Sequence, residues 1–250
     1  MKRLIAIITL LPLLAAQVIN TGNHRKIFTG GASPAAPCAK TTSSITGDYW
    51  AGSYSSSPIT TNWTDQSTFN NPQAPLGSPT WSSSTFGAGY SGVTLNGTSQ
   101  YFGATNSQFP NISFSNASGY AVITMPSSGG GSLSGNHNNN AMAWNVTQSG
   151  TVSLIGQPST TFCTTTTTFT AGQSYEVAFT LSSSTCTFYV NGTQIFTTSA
   201  SPGSVIGMDR LLTATQSSGD FKGSVYEIAI TGTSTYDPAI HTCWVGQGLP

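Results

Sequence analysis

From Tyr49 onward the chain is written in short runs in which apolar and polar residues alternate, separated by Gly, Asn, Ser and Pro. Gly92–Leu95, Tyr120–Met125, Thr151–Ile155, Tyr175–Leu181, Thr185–Val190, Thr193–Thr197 and Ser224–Ile230 each read as a strand. β-Branched and aromatic side chains, which fit a pleated and half-buried surface, dominate them. Asn191-Gly192 joins two of these runs, and Asn-Gly tolerates the positive φ that a tight hairpin turn needs. The block Thr164–Thr168, held between Cys163 and Phe169, reads as one more strand, lined by Thr on both faces. No segment sustains a helical period, so little helix is expected. Strands recurring at this spacing predict an antiparallel, two-sheet sandwich.

The first 45 residues have another texture. Lys2-Arg3 precede an apolar run from Leu4 to Ala16, the pattern of a secretory signal peptide and too short for a transmembrane helix. Residues 1–16 are therefore expected to be a signal peptide or an uncleaved apolar segment. Residues 17–45, punctuated by Gly30-Gly31, Pro34 and Pro37, read as a linker or arm, and residues 46–250 as the domain. The four cysteines, none in a Cys-x-x-Cys pair, suit an oxidising compartment. Cys163 and Cys186 lie on neighbouring stretches and are expected to pair, leaving Cys38 and Cys243 to tie the start of the domain to its end. The expected location is extracellular, or a virion or cell surface.

Charge is scarce. Seven basic and seven acidic residues leave 250 residues with no net charge, while Ser and Thr supply 74. A nucleic-acid partner would need a basic stripe, and none is present. Aromatic residues at 10% provide the rings for a core that a disordered polar chain would lack.

The order of motifs resembles a laminin-G-like domain of the concanavalin A-like lectin/glucanase superfamily. Trp63-Thr64-Asp65-Gln66-Ser67 matches a W-x-D-x-S element; Val93-Thr94-Leu95-Asn96-Gly97 and Tyr101 match the strand and turn that follow it. Tyr175–Phe179 leading to Phe188-Tyr189-Val190-Asn191-Gly192 resembles the family hairpin, and Val205-Ile206-Gly207 with Phe221–Ile230 its closing strand. The resemblance covers about residues 48–243 and implies a jelly roll. Two Asp-Gly turns of the family are Asn96-Gly97 and Asn191-Gly192 here. That weakens any Ca²⁺ site, since calcium is usually held by carboxylates among its oxygens. Asp48, Asp65, Asp209, Asp220 and Asp237 are scattered singly, and Asp65 or Asp209 with backbone carbonyls is the remaining Ca²⁺ candidate.

Glycoside hydrolysis normally uses two carboxyl groups. Glu176 and Glu227 are the only Glu residues, and the acid cluster of the superfamily's glucanases is missing. Glu227 reads as a sheet carboxylate or a hydrogen-bond anchor for a loop. His24, His137 and His241 fall in separate loops or tails, with no nucleophile elbow. A non-enzyme is expected, with no cofactor. Sugars are recognised by flat rings and neutral amides. The candidates are Trp144, placed as an exposed ring beside Asn138, Asn139 and Asn140, together with Trp63, Trp81 and Tyr90. Trp63 and Trp81 also suit a core role, and Trp50 and Trp244 suit packing at the domain ends. Six Asn-x-Ser/Thr sequons, at Asn62, Asn96, Asn111, Asn116, Asn145 and Asn191, barely exceed chance for so Ser- and Thr-rich a chain. The expected function is a secreted, non-catalytic, lectin-like adhesion module for glycans or cell-surface polysaccharide. The alternative is a structural subunit of a filament, surface layer, viral appendage or capsid decoration, assembling through the N-terminal arm; a glycoside hydrolase ranks last.

Overall fold

Two antiparallel sheets face each other across an apolar core, and a helix covers the outside of one of them. The computed structural model describes residues 36–39, 45–87, 89–103, 116–126, 128–135, 142–156, 160–200, 208–213 and 219–250. The strands are β1 (Ile45–Trp50), β2 (Ala74–Leu76), β3 (Thr80–Ser82), β4 (Gly92–Asn96), β5 (Tyr101–Gly103), β6 (Asn116–Thr124), β7 (Gly130–Gly135) and β8 (Met142–Thr147). They continue as β9 (Thr151–Gly156), β10 (Thr160–Thr166), β11 (Ser174–Ser182), β12 (Thr185–Val190), β13 (Thr193–Ser199), β14 (Arg210–Leu211) and β15 (Lys222–Thr231). The helix α1 spans Pro238–Gln247.

The first sheet runs β13-β12-β11-β6-β15. The long β15 pairs through one half with β4 and through the other with β1. The second sheet runs β10-β9-β8-β7-β14-β5-β2, and the two meet where Lys222 pairs with Gly130. The alternation read from the sequence is what fills the core: Ala121, Ile123, Val177, Phe179, Ile228 and Ile230 from the first sheet meet Leu133, Trp144, Val146, Val152 and Leu154 from the second. Cys163 on β10 and Cys186 on β12 both point into this layer, and their disulfide joins the sheets. The predicted hairpin is present, with Val190 paired to Thr193 and positive φ at Asn191 (49°) and Gly192 (71°).

A second apolar layer lies on the outer face of the first sheet. There Tyr120, Val122, Ala178, Tyr226 and Ala229 meet Ile240 and Trp244 of α1, together with Cys38 and Ala39. The sequence offered no helical period over residues 238–247, yet the local signals are clear: Asp237 caps the N-terminus through Ala239 N–H, Pro238 opens the helix, and Gly248 closes it at φ 86°. Cys38 and Ala39, placed in a linker or arm by the sequence reading, are fully buried, and Cys38 is joined to Cys243 of the helix. The rest of that segment, residues 1–35 and 40–44, lies outside the described residues.

Candidate functional site

The rings expected to face a sugar do not converge. Trp144, expected to be exposed, is fully buried. On β8 Met142, Trp144 and Val146 point inward, and the Trp144 ring packs edge-on against Phe179 at 5.1 Å. A Cβ on Gly119 would meet both rings, so that pair needs a glycine beneath it. Trp63 is also fully buried, against Tyr49, Tyr54 and Phe102, with its indole N–H donated to the Trp50 carbonyl at 3.0 Å. Trp81 is half-buried and donates to the Ala51 carbonyl at 2.9 Å. Tyr90 is buried beneath α1, its hydroxyl bonded to the Gln247 carbonyl. Trp63 and Tyr90 are thus buried packing rings, whereas Trp81 stays partly accessible. Asn138, Asn139 and Asn140 lie outside the described residues, as do His24 and His137.

The acids are placed as follows. Asp65 accepts backbone N–H bonds from Asp48 and Ser67 at Oδ1 and from Asn71 at Oδ2, at 2.8–2.9 Å, so both oxygens hold the loop after β1. Asp209 is buried, with Oδ1 3.9 Å from Arg210 Nε. Among the described residues, neither belongs to a group of three His, Cys, Asp or Glu side chains that could hold a metal.

Glu176 and Glu227 are both buried on the helix side of the first sheet. Glu227 accepts from Cys38 N–H (2.9 Å), Ala39 N–H (2.7 Å) and Trp244 Nε1–H (2.8 Å). Glu176 accepts from the Tyr236 hydroxyl at 2.9 Å and pairs with His241 Nδ1. Burial raises both carboxyls above their ordinary range, against the pull of these hydrogen bonds. A carboxylate pair for hydrolysis needs room for a sugar between its members. Here α1 occupies that position.

The outer face of the second sheet is different. Because Met142, Trp144 and Val146 point inward, Asn145 points outward. Asn145 pairs with Ser153 of β9 on one side and Ser132 of β7 on the other, and Ser153 pairs with Thr164 of β10. Ser132 in turn forms a parallel bridge with Asp220. Residues opposite one another across neighbouring strands share a face. Thr164, Ser153, Asn145, Ser132 and Asp220 therefore form one polar row across five neighbouring stretches of chain. Thr166, Thr151 and Thr147 run parallel to it one repeat along. The Ser132 hydroxyl donates to Asn145 Oδ1, which fixes the amide and leaves its NH₂ as the donor. Asp220 is 8% exposed, and its Oδ1 has no hydrogen-bond partner. Farther along this face, Arg210 lies over the Tyr101 ring at 5.4 Å; its β14 position is flanked by Gly135 and Gly103 in the register. The sequence carried one usable signal for this row: once Trp144 is assigned to the core, Asn145 must face out. Asp220 carried none, since its place depends on a bridge to Ser132, 88 positions away.

A family model for the concanavalin A-like lectin/glucanases superfamily matches residues 87–240. The chain belongs to that superfamily. Solved structures agree on the fold. Domain 4 of AbnA, a GH43 extracellular arabinanase from Geobacillus stearothermophilus, in complex with arabinotriose, is similar at 14% identity and a TM-score of 0.55, over 80% of this chain and 98% of that one. Trypanosoma rangeli sialidase in complex with sialic acid is similar at 12% and 0.58, over 87% of this chain and 36% of that one. The botulinum neurotoxin serotype D binding domain is similar at 12% and 0.57, over 82% of this chain and 51% of that one. At these identities the likeness is one of fold. No curated protein matches the chain in sequence. Within the superfamily, this member's two glutamates stand beneath α1, while its second sheet turns a polar row outward that is exposed at Thr164, half-buried at Asn145 and buried at Ser153, Ser132 and Asp220.

Proposed function

We propose that the protein is a non-catalytic carbohydrate-binding module acting outside the cell. The observation that supports this reading is the outward-turned polar row Thr164–Ser153–Asn145–Ser132–Asp220, exposed at Thr164, half-buried at Asn145 and buried at the other three, which ends in a carboxylate oxygen without a partner. A buried acceptor left unpaired costs roughly 1–3 kcal/mol, and a hydroxyl donor from a ligand would recover it. Sugars supply hydroxyls, and neutral amides and hydroxyls are their natural counterparts. Domain 4 of the arabinanase, which this chain matches along nearly its whole length, was solved with arabinotriose, and that supports the same reading. The non-catalytic reading is supported by Glu176 and Glu227, which are packed against α1 and bonded to the protein. The two disulfides agree with secretion. Affinity electrophoresis against a panel of soluble polysaccharides tests the reading: retardation that Asp220→Asn abolishes is expected, and migration unchanged by every glycan would overturn it.

A structural subunit remains the second reading, on one observation. β10 and β13 end their sheets, each pairing on a single side among the described residues. Such edges can accept a strand from another copy. Light scattering over a concentration series separates the two, because polymer growth without glycan retardation would favour assembly.

A further inference from the structure

We propose that two copies of this chain join into a closed dimer through the side of the sandwich formed by β10 and β13. The two sheets end out of step there. Cys163 of β10 is bonded to Cys186 of β12, so the last strand of the second sheet lies over β12. The first sheet runs on beyond that point by one more strand, β13. Its inward-turned side chains show the gap. Phe196 pairs with Phe188 and Thr198 with Cys186, both fully buried, yet Phe196 and Thr198 are only half-buried. On β10, Thr165 pairs with the buried Val152 and is likewise half-buried. The step is floored by Phe196 and Thr198 and walled by the edge of β10.

At the far side of the molecule the edges are protected. β2 has Pro75 at its centre, β3 is three residues long and follows Pro79, and β1 is bridged at Tyr49 by Asp65. Proline and short length keep an edge from taking up another strand. β10 and β13, by contrast, are seven residues each, with no proline and no charged side chain. Each carries one irregularity, at Phe162 and Ile195, and runs on regularly over residues 163–166 and 196–199. Between residues 160 and 200 the only charged residue is Glu176, buried under α1. A neutral side can face its own copy without like charges meeting. A two-fold axis along the strands exchanges the layers. β13 of each copy then fills the step of the other and lies beside its β10, and Phe196 packs against the partner's Phe196. One such contact uses both edges of this side in both copies, so the assembly closes at two. The strip is about 23 Å long and two layers, about 20 Å, deep, or roughly 900 Å² over both copies, near the size at which specific interfaces begin.

The inference stands apart from the carbohydrate reading and narrows the assembly reading to a pair. Sedimentation velocity of the full chain, from micromolar to millimolar concentration, tests it. The wild-type protein is expected to pass from monomer to dimer and to stop there. An axis along the strands preserves height, so Thr198 meets the partner's Thr198. Thr198→Lys and Thr198→Asp should each weaken the dimer about tenfold or more, because each sets two like charges against one another. An equimolar mixture of the two variants should recover the dimer, since opposite charges then meet, and that recovery shows that both variants fold. Thr197→Lys, on the exposed outer face of the same strand, should leave the dimer intact. A wild-type protein that stays monomeric would overturn the proposal, as would Thr198 variants that dimerise like the wild type, or a mixture without recovery when both variants melt as the wild type does. Growth beyond two copies would overturn the closed pair and favour open assembly.

Discussion

Glu176 and Glu227 stand level with each other on one face of the first sheet, each paired across from Val122 of the strand between them. One turn of α1 answers both, with His241 on Glu176 and Trp244 on Glu227. Residues three apart on a helix share a face, so the helix can close on two carboxyls two strands apart. A Cβ on Gly192 would run into the His241 ring, which shows how closely the helix is seated on the hairpin turn. The same sheet positions that would have suited a pair of catalytic acids thus serve as two anchor points.

The clamp should give the protein an unusual response to pH. Burial raises the pKa of Glu227 and Glu176 above the ordinary value of 4.5, against the lowering pull of the hydrogen bonds that each accepts. A raised carboxyl binds its proton more tightly in the folded state. Its contribution is complete below the unfolded pKa and is lost as pH rises through the folded one. The urea midpoint should therefore increase as the buffer is taken from about pH 8 to about pH 5, and Glu227→Gln should flatten that slope. A midpoint that falls over this range would count against the clamp.

Truncating Glu227 should cost far more than a surface carboxylate would. Three buried donors, Cys38 N–H, Ala39 N–H and Trp244 Nε1–H, lose their acceptor in Glu227→Ala. At roughly 1–3 kcal/mol for each buried group left unpaired, a loss of about 3 kcal/mol or more is expected by chemical denaturation. A loss below about 1 kcal/mol would mean that these donors find other partners.

Opening the Cys38–Cys243 link should release the outer layer before the core. The bond closes a separation of 205 residues and holds the Cys38–Ala39 segment against α1. Removing a native disulfide of this kind typically costs ~2–5 kcal/mol. In a Cys38→Ser/Cys243→Ser variant, hydrogen exchange should speed up in α1 first, with β6, β11 and β15 still protected. Uniform acceleration across both sheets would show that the layers unfold together.

Trp144 should prove a stability residue and not a binding one. Replacing it with Ala empties the space against Phe179, for which about 3–5 kcal/mol is typical. Its indole N–H has no partner in the core, so Trp144→Phe should cost clearly less than Trp144→Ala. Glycan affinity, measured where the variants remain folded, should not change.

The fold was legible because strands announce themselves locally. The runs at Tyr175–Leu181, Thr185–Val190 and Thr193–Thr197 sit within β11, β12 and β13, and Asn191-Gly192 makes their turn. Glu227 could be read as a hydrogen-bond anchor, and Trp244 as a packing residue, because each followed from its position in the chain. The helix was missed for a physical reason: only Ile240 and Trp244 are buried along its length, too few to make an apolar stripe, so its caps carry the signal instead. Trp144 was expected at the surface because an Asn-rich loop stands beside it, and the structure buries it. The face of a strand residue is set by parity, and parity is fixed only once one neighbour is known to be inside.

That parity has a consequence for how the protein can change. Along β8 and β9, every second residue belongs to the core and the residues between belong to the outer face, so Trp144 and Asn145 answer to separate demands although they are adjacent. Substitutions at Asn145 or Thr164 change the outer face while the core side chains of these strands stay in place. A single-residue insertion in either strand would exchange the two sets at once, exposing Trp144 and burying Asn145. The outer face is therefore free to vary by replacement and closed to variation by length, so related chains should differ here in residue type and keep the strand lengths unchanged.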